Sequence, residues 1–469
     1  MSRVSAKGVL VVAVGMIAVI GATAALGART QASAEPQELT VLTNPISIYG
    51  LTPKSLKSKN TIASWYRHYR GLWAQRFPGL KINEIQTTGD EENVTKTILG
   101  VNRGDPPDLV GVHGQLPLLV ARGAVENLDK YYKAAGITPG DLLKPVADSL
   151  RFNGHWYGLP GGTNPTFGTL LSIPKFVKAA GIKNDPVTWS ALYEASKKAV
   201  KFNDKGELIR IGLQVDLNNE TLNLFCGKPT TYNVSTNTFS ANAPCIKAGF
   251  AYRKRLLDLY GGVNKYTKFM SGDPSVWTCS PKAYLPTGKV LFMTDAYWSG
   301  GQMDTCYNVT WKIGPIPTHA GSLSDWRGLS PGAWVLAIPK GAKNAQLAFD
   351  FAKFTIIDHG DRLGPTTNGY SRQALAAGWA KGLVAYSASV RKKNGYAGNP
   401  MAAAMKPVML GAKLGRVPIP NSPVATYYDQ QMSLAWQKVA HGKATINDAL
   451  NEAQELVDRQ MKLQPDTIG

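Results

Sequence analysis

Apolar residues along the chain repeat with the period of strands in some segments and with the period of helices in others. Residues 39–42 and 80–86 are short apolar runs typical of buried strands, and residues 61–77 between them carry apolar side chains at helical spacing. A second helical stretch then leads to an apolar strand at residues 108–112. Strands that alternate with helices in this way predict βαβ units and a mainly parallel sheet covered on both faces.

The same alternation restarts after a Gly- and Pro-rich patch at residues 159–162. Residues 168–173 predict a strand, and residues 175–180 and 188–200 predict helices, so we expect a second open sheet. At the C-terminus, the T-x-x-D capping pattern of residues 445–448 opens an apolar stripe that predicts a packed helix to residue 463. The chain is therefore predicted to contain two α/β units.

The N-terminus has the features of a secretory signal. Arg3 and Lys7 precede an apolar run at residues 8–28, and Ala32 and Ala34 supply the small residues that signal peptidase requires. We predict that residues 1–34 are a signal peptide, with an uncleaved membrane anchor as the alternative because the run is nearly long enough to span a bilayer. The mature chain is expected on the periplasmic or extracellular side of the cytoplasmic membrane.

The predicted mature chain is strongly basic. The sequence holds 52 Lys and Arg and 32 Asp and Glu, and the signal contains three of the basic residues, which leaves a net charge of +17. This charge fits an anionic ligand, attraction to an anionic envelope or a solvated surface, of which we favour the last. Nucleic acid is not an expected partner, because the basic runs at residues 253–255 and 391–393 are short and no recognition motif accompanies them.

Four cysteines in an exported chain predict two disulfides. Three pairings are open to the sequence alone, and we favour nearest neighbours, Cys226 with Cys245 and Cys279 with Cys306. A zinc site requires tighter ligand spacing and a nearby His, and neither is present. We predict no metal site and no cofactor.

Several segments, in a characteristic order, carry a resemblance to a known family. They are FPGLKI at 77–82, GDPPDLV at 104–110, the stretch 118–128, NGHWYGLP at 153–160, KFVKAAG at 175–181 followed by PVTW at 186–189, GKVLFMTDAYW at 288–298, and the stretches 332–340 and 345–354. In this order they resemble the extracellular solute-binding proteins, family 1, that serve carbohydrate ABC importers, the maltodextrin-binding-like group. The chain departs from that pattern in a longer loop at residues 42–60 and a polar insert at residues 217–248.

The resemblance implies a two-lobe periplasmic-binding-protein fold with a ligand cleft between the lobes. The expected boundaries are 35–160 and 298–355 for the first lobe, and 161–297 and 356–469 for the second. It also implies a monomer that binds a sugar or oligosaccharide, closes over it about a hinge, and delivers it to the transmembrane subunits of an ABC permease. ATP hydrolysis would belong to separate subunits.

The ligand-binding residues of such a protein are expected at the crossings between lobes and at the carboxyl ends of strands. Aromatic rings stack on sugar faces, while carboxylate, amide and guanidinium groups bond to hydroxyls. The aromatic candidates, for which core packing is the alternative, are Trp298, Trp334, Tyr297, Tyr157 and Tyr370. The polar candidates, for which a hinge or turn contact is the alternative, are Asp295, Asn164, Arg327 and His113.

Enzymatic function has one motif in its favour, the G-x-S-x-G pattern at residues 328–332. The residue after the nucleophile must donate its backbone N–H to the oxyanion, and Pro331 has none. We therefore expect a binding protein and no enzyme. The alternatives are a receptor for an anionic solute, such as a uronate oligomer or a glycerophosphodiester, and a secreted carbohydrate-active enzyme.

Overall fold

A computed structural model describes residues 37–43, 71–142, 144–162, 169–214, 219–228, 230–233, 235–272, 276, 279–295, 297–322, 328–329, 334–358, 376–414, 416–417 and 422–464. The predicted signal peptide lies outside these residues. No helix in this described part of the chain is both long enough and apolar enough to cross a membrane.

The first of two five-stranded sheets has the strand order β2-β1-β3-β15-β6. Its strands are β1 (Glu38–Thr43), β2 (Lys81–Gln86), β3 (Leu109–His113), β6 (Leu159–Gly162) and β15 (Trp334–Ala337). The three strands at one side are parallel, and β15 runs antiparallel to both of its neighbours. β3 is buried on both faces, where Leu109 and Val110 are fully buried, and β1 buries Leu39 and Val41 on one face and Leu42 on the other, because helices cover the sheet on either side.

The second sheet has the strand order β13-β7-β12-β9-β8. Its strands are β7 (Thr169–Ser172), β8 (Lys201–Phe202), β9 (Leu208–Leu213), β12 (Val290–Asp295) and β13 (Lys312–Pro315). Only the pairing of β12 with β9 is parallel. The part of the chain that the structure describes also contains three small two-stranded ladders: β4 (Arg151–Phe152) with β5 (His155–Trp156), β10 (Tyr232–Asn233) with β11 (Thr238–Phe239), and β14 (Gly328–Leu329) with β16 (Arg416–Val417).

Helices surround both sheets. They are α1 (Asp90–Arg103), α2 (Leu116–Ala121), α3 (Asp129–Ala134), α4 (Lys144–Leu150), α5 (Pro174–Ala179), α6 (Trp189–Ala199), α7 (Asn219–Cys226), α8 (Pro244–Leu259), α9 (Val263–Met270), α10 (Tyr284–Thr287), α11 (Tyr297–Cys306), α12 (Ala345–Ala352), α13 (Ala376–Lys393), α14 (Pro400–Leu414), α15 (Ala425–Ala440) and α16 (Ile446–Leu463). Residues 71–76 are also helical, Pro139–Asp141 forms a 3-10 turn, and Lys353–Asp358 forms a π-helical turn.

The two-sheet α/β architecture predicted from the sequence is confirmed, and so is the cap of the last helix, where Thr445 accepts a hydrogen bond from the Asp448 N–H at 3.1 Å. The sheets, however, are mixed rather than mainly parallel. The reason is the path of the chain between the two units. The chain reaches β15 from the second unit and β7 from the first unit, and each of these two strands is antiparallel to both of its neighbours.

Helix α11 and strand β13 pack in the second unit, although the boundary expected at residue 298 assigns them to the first lobe. β13 pairs with β7 of the second sheet, and Met303 of α11 lies in the core beside Leu171. The first unit has one continuous core around β1 and β3, and the second has three adjoining apolar clusters. The strand orders favour a return to the first unit between residues 315 and 334, and the lobe boundaries themselves stay a prediction.

Both expected disulfides are present. Cys226 is bonded to Cys245 over a sequence separation of 19, and Cys279 is bonded to Cys306 over a separation of 27. The first bond joins the end of α7 to the start of α8, and the second fixes the last residue of α11.

Candidate ligand-binding site

Three backbone segments meet at one edge of the first sheet. β3 ends at His113 and β6 ends at Gly162, while β15 begins at Trp334 and pairs with both of these residues. Because β3 and β6 expose their carboxyl ends here, this edge has the geometry at which open α/β sheets bind ligands. The backbone pairing places the candidates His113 and Trp334 opposite each other, and their role in ligand binding stays a prediction.

The corresponding edge of the second sheet holds the start of β7 and the ends of β12 and β13. Thr169 pairs with Asp295 on one side and with Pro315 on the other. Residues 163–168 join Gly162 of the first edge to Thr169 of the second. Seven Cα steps span at most about 25 Å, so the chain itself keeps the two edges close together.

Asp295 occupies the second edge through two short hydrogen bonds. Its backbone oxygen accepts a hydrogen bond from Thr169 Oγ1 at 2.5 Å, and its carboxylate Oδ2 accepts one from Ser299 Oγ at 2.5 Å. A carboxylate before the first turn of a helix is favourable, because the free N–H groups there carry partial positive charge. Asp295 therefore fixes the start of α11, the helix that carries Trp298 as its second residue.

Acidic residues dominate the first turn of α1 at the edge of the first sheet, namely Asp90, Glu91 and Glu92. Glu92 Oε2 accepts hydrogen bonds from the backbone N–H and the hydroxyl of Thr88 at 2.8 and 2.9 Å. The Thr88 N–H and the neighbouring Lys96 hold the pKa of Glu92 at about 2. This carboxylate is therefore charged at any physiological pH.

His113 is half-buried beside this acidic turn. Desolvation lowers the pKa of His113 below its ordinary value, and the Asp90 carboxylate opposes that shift. Desolvation is the larger of the two effects, so the imidazole is neutral at pH 7. A neutral imidazole offers one donor and one acceptor, which suits the hydroxyl group of a ligand.

Two aromatic candidates do not offer their rings to these edges. Tyr297 is fully buried, in the cluster that contains Leu171 and Met303, so the structure favours the core-packing alternative for its side chain. Tyr157 precedes β6 at the opposite, amino end of that strand, and its ring meets Phe152 edge-on at 6.0 Å. The backbone of Tyr297 thus begins α11 close to Asp295 while its ring packs into the core, and Tyr157 lies at the end of β6 away from His113.

The remaining candidates lie partly or wholly outside the described residues. Asn164, Arg327 and Tyr370 are outside them. Trp298 and Trp334 are described for their backbone, which lies at the second and the first edge respectively.

Gln115, which follows His113 and Gly114 after the end of β3, was not among the residues predicted from the sequence. Gln115 is 9% exposed, and its Oε1 has no hydrogen-bond partner among the described residues. A buried amide oxygen without a partner is costly, so a ligand hydroxyl at this edge would satisfy it. The signal was available in the sequence as a polar residue immediately after an apolar strand.

Asn93 was also missed, although it organises the same edge. It is fully buried, its Nδ2 donates to the Gly111 carbonyl at 2.8 Å, and its Oδ1 accepts from Thr87 Oγ1 at 2.5 Å. These bonds hold the start of α1 against the end of β3. The acidic turn and His113 are thereby kept side by side.

Solved structures share this fold with the chain at low sequence identity. The mannobiose complex of CpMnBP1 is 19% identical, with a TM-score of 0.68, over 90% of this chain and 100% of that one. A maltose/maltodextrin-binding domain from Bdellovibrio bacteriovorus bound to maltotriose is 16% identical, with a TM-score of 0.64, over 91% and 100%. The ABC transporter associated binding protein from B. animalis subsp. lactis, in complex with beta-1,6-galactobiose, is 16% identical, with a TM-score of 0.64, over 92% and 99%.

The architecture is thus that of two-lobe binding proteins. A family model described as a bacterial extracellular solute-binding protein matches residues 74–360, which is more than half of the chain. The chain therefore belongs to the bacterial extracellular solute-binding proteins. No curated protein sequence matches the chain.

Proposed function

We propose that this protein is the receptor of an ABC importer and binds a neutral saccharide between its two units. The observation that carries the proposal is that only residues 163–168 separate Gly162 at the first edge from Thr169 at the second, which limits the distance between the two edges to about 25 Å. A ligand held between two such edges is enclosed when the units close about their crossing segments. Closure would then present the loaded form to the transmembrane subunits of the permease.

The saccharide class is supported by the three solved structures of the same fold, whose ligands are mannobiose, maltotriose and beta-1,6-galactobiose. The groups at the two edges suit such ligands. Gln115 offers an unpaired amide oxygen, His113 a neutral imidazole and Asp295 a carboxylate, all of which can bond to sugar hydroxyls. Trp298 and Trp334, on either side, would supply rings that stack on sugar faces.

A neutral ligand is favoured over an anionic one by the charges at the edges. Asp90, Glu91 and Glu92 lie at the first edge and Asp295 lies at the second. In a partly desolvated cleft, the electrostatic repulsion between these carboxylates and a uronate or a phosphodiester is several times stronger than the same repulsion in bulk water. The net positive charge of the chain therefore serves another purpose than solute binding.

The proposal includes a division of the chain into two units. The first unit would contain residues 35–162 and 334–358, and the second would contain residues 169–322 and 376–463. The protein would act as an exported monomer without a cofactor and without catalysing a reaction. Signal processing after Ala34 would release it from the membrane.

Calorimetric titration tests the proposal. Mannobiose, maltotriose and beta-1,6-galactobiose are compared with digalacturonate and glycerophosphocholine, and unchanged sugar recovered by chromatography distinguishes binding from turnover. We expect micromolar binding of at least one neutral sugar, which corresponds to about 8 kcal/mol, and a rise in the melting temperature by mass action. Binding of the anionic ligands alone, or hydrolysis of the sugar, would refute the proposal.

A further inference from the structure

A lysine-rich surface lies at the amino end of the second sheet, opposite the edge that contains Asp295. β9 and β12 both begin here, and β8 ends here. We call this surface the distal face and define it by seven exposed residues: Lys201, Phe202, Lys205, Ile209, Lys265, Lys268 and Lys289. It comprises the β8–β9 hairpin, one face of α9 and the residue before β12.

The lysines of the distal face converge. Four of them, Lys205, Lys265, Lys268 and Lys289, line one cavity together with Ile209. Lys265 Nζ donates to the Gly206 carbonyl at 2.9 Å, and Lys268 Nζ donates to Glu207 Oε1 at 2.7 Å. Each ammonium group has three donors, so these bonds leave capacity for further acceptors.

The charge of this surface is positive even after its acids are counted. Five lysines face two carboxylates, those of Asp204 and Glu207, both of which are exposed in the β8–β9 hairpin. The hydrogen bond from Lys268 lowers the pKa of Glu207, so this carboxylate stays charged. The balance of about three positive charges therefore holds across the physiological pH range.

Two large apolar side chains are exposed among these lysines. Phe202 is 40% exposed and Ile209 is 43% exposed. Phe202 is the last residue of β8, the edge strand of its sheet, and Lys265 Nζ lies 5.3 Å from the centre of its ring. Apolar side chains surrounded by lysines are typical of proteins that bind to anionic lipid. The apolar side chains enter the headgroup region of the bilayer, and the ammonium groups contact the lipid phosphates.

We propose that the distal face docks on an anionic phospholipid surface. A soluble polyanion would satisfy the lysines, but it would leave Phe202 and Ile209 in water, whereas a bilayer accommodates both kinds of group. The face lies at the end of the second sheet away from Asp295, so the solute site stays accessible while the protein is held at the membrane. This proposal does not depend on which solute the protein binds.

A dye at Ile209 tests the docking on the protein as it is exported. All four native cysteines are in disulfides, so Ile209→Cys introduces one thiol that takes an environment-sensitive fluorophore. Leu434→Cys, at a 48% exposed residue of α15, is the matched control position. We expect a blue shift at residue 209 with vesicles that contain phosphatidylglycerol, and none with phosphatidylcholine alone or at residue 434. Equal shifts at the two positions, or with the two lipids, would overturn the proposal.

The charge requirement is tested in the same labelled protein. The triple variant Lys205→Ala, Lys268→Ala and Lys289→Ala should raise the lipid concentration for half-maximal shift on the order of a hundredfold, roughly fivefold per lysine. The triple variant Lys81→Ala, Lys130→Ala and Lys133→Ala removes the same charge from exposed sites in the first unit and should change little. Thermal unfolding verifies that both fold. Equal effects of the two variants, or binding of inorganic polyphosphate as tight as that of vesicles, would contradict docking by this face.

Discussion

Arg391 Nη1 donates a hydrogen bond to Asp304 Oδ1 at 2.7 Å where both side chains are almost completely buried, 2% and 1% exposed. The pair joins α13 to α11, and Trp311 Nε1 donates to the same carboxylate oxygen at 2.8 Å. Ser387 donates to the other oxygen, and Arg391 also bonds to the carbonyls of Ala397 and Gly398. With its polar atoms satisfied, the buried pair fixes the helix that follows the second edge of the site.

Arg391→Met should destabilise the protein by about 3–5 kcal/mol, because it leaves the Asp304 carboxylate buried without a counter-charge. Chemical denaturation measures the effect. The control is Lys438→Met, which breaks the exposed pair of Lys438 with Glu452 and should cost about 1 kcal/mol or less. An equal loss of unfolding free energy in the two variants would mean that the buried pair stabilises the fold no more than the exposed pair does.

Trp298→Ala should weaken saccharide binding by about 2–4 kcal/mol, as expected for a ring at a binding hot spot, and leave the unfolding free energy nearly unchanged. The adjacent substitution Tyr297→Ala should do the reverse. It removes a fully buried ring and should cost about 3–5 kcal/mol of stability. Calorimetric titration and denaturation of both variants separate the two roles. A Trp298→Ala protein with normal affinity and low stability would place Trp298 in the core.

Removal of either disulfide, by substituting both cysteines with Ala, should lower stability by about 3 kcal/mol because the unfolded chain gains loop entropy. The effects on affinity should differ. Cys306 ends α11, and Gln302 Nε2 of this helix lies 3.1 and 3.0 Å from the sulfurs of Cys279 and Cys306. Loss of the Cys279–Cys306 disulfide should weaken saccharide binding, whereas loss of the Cys226–Cys245 disulfide should not. Equal affinities in the two variants would mean that the Cys279–Cys306 disulfide does not influence the ligand-binding site.

His113 should make stability depend on pH on the acidic side of neutrality. Burial lowers its pKa in the folded protein below its ordinary value of 6.5, so the unfolded chain takes up the proton first. The stabilisation is complete above pH 6.5 and is lost as pH falls through the folded pKa. The measurement is the free energy of unfolding as a function of pH below 6.5. In the His113→Asn variant, this free energy should not show the decrease that His113 causes. Parallel pH profiles for the two proteins would exclude His113 as the cause.

Local features of this chain could be predicted from the sequence. The strand at residues 38–43, the helix Trp189–Ala199 and the cap at Thr445 depend on apolar spacing and on neighbouring residues alone. The disulfide pairing was also predicted correctly, because nearest neighbours close the shortest loops. The position of His113 at the end of an apolar strand was also predicted, whereas Asp295 was chosen from the family resemblance, and the role of both in binding stays a prediction.

Long-range pairing decided the rest. Whether α11 and β13 belong to the first or the second unit depends on the pairing of β13 with β7, whose residues lie 140 to 146 positions earlier in the sequence, and no local pattern encodes that contact. Tyr297 and Trp298 are adjacent residues of one helix, yet burial of Tyr297 is set by the face of α11 that packs on Leu171. Tertiary packing buries the side-chain oxygen of Gln115 and leaves it without a hydrogen-bond partner among the described residues. A sequence specifies which side chains prefer to be buried, whereas only the assembled sheets decide which polar groups are enclosed with them and left to a ligand.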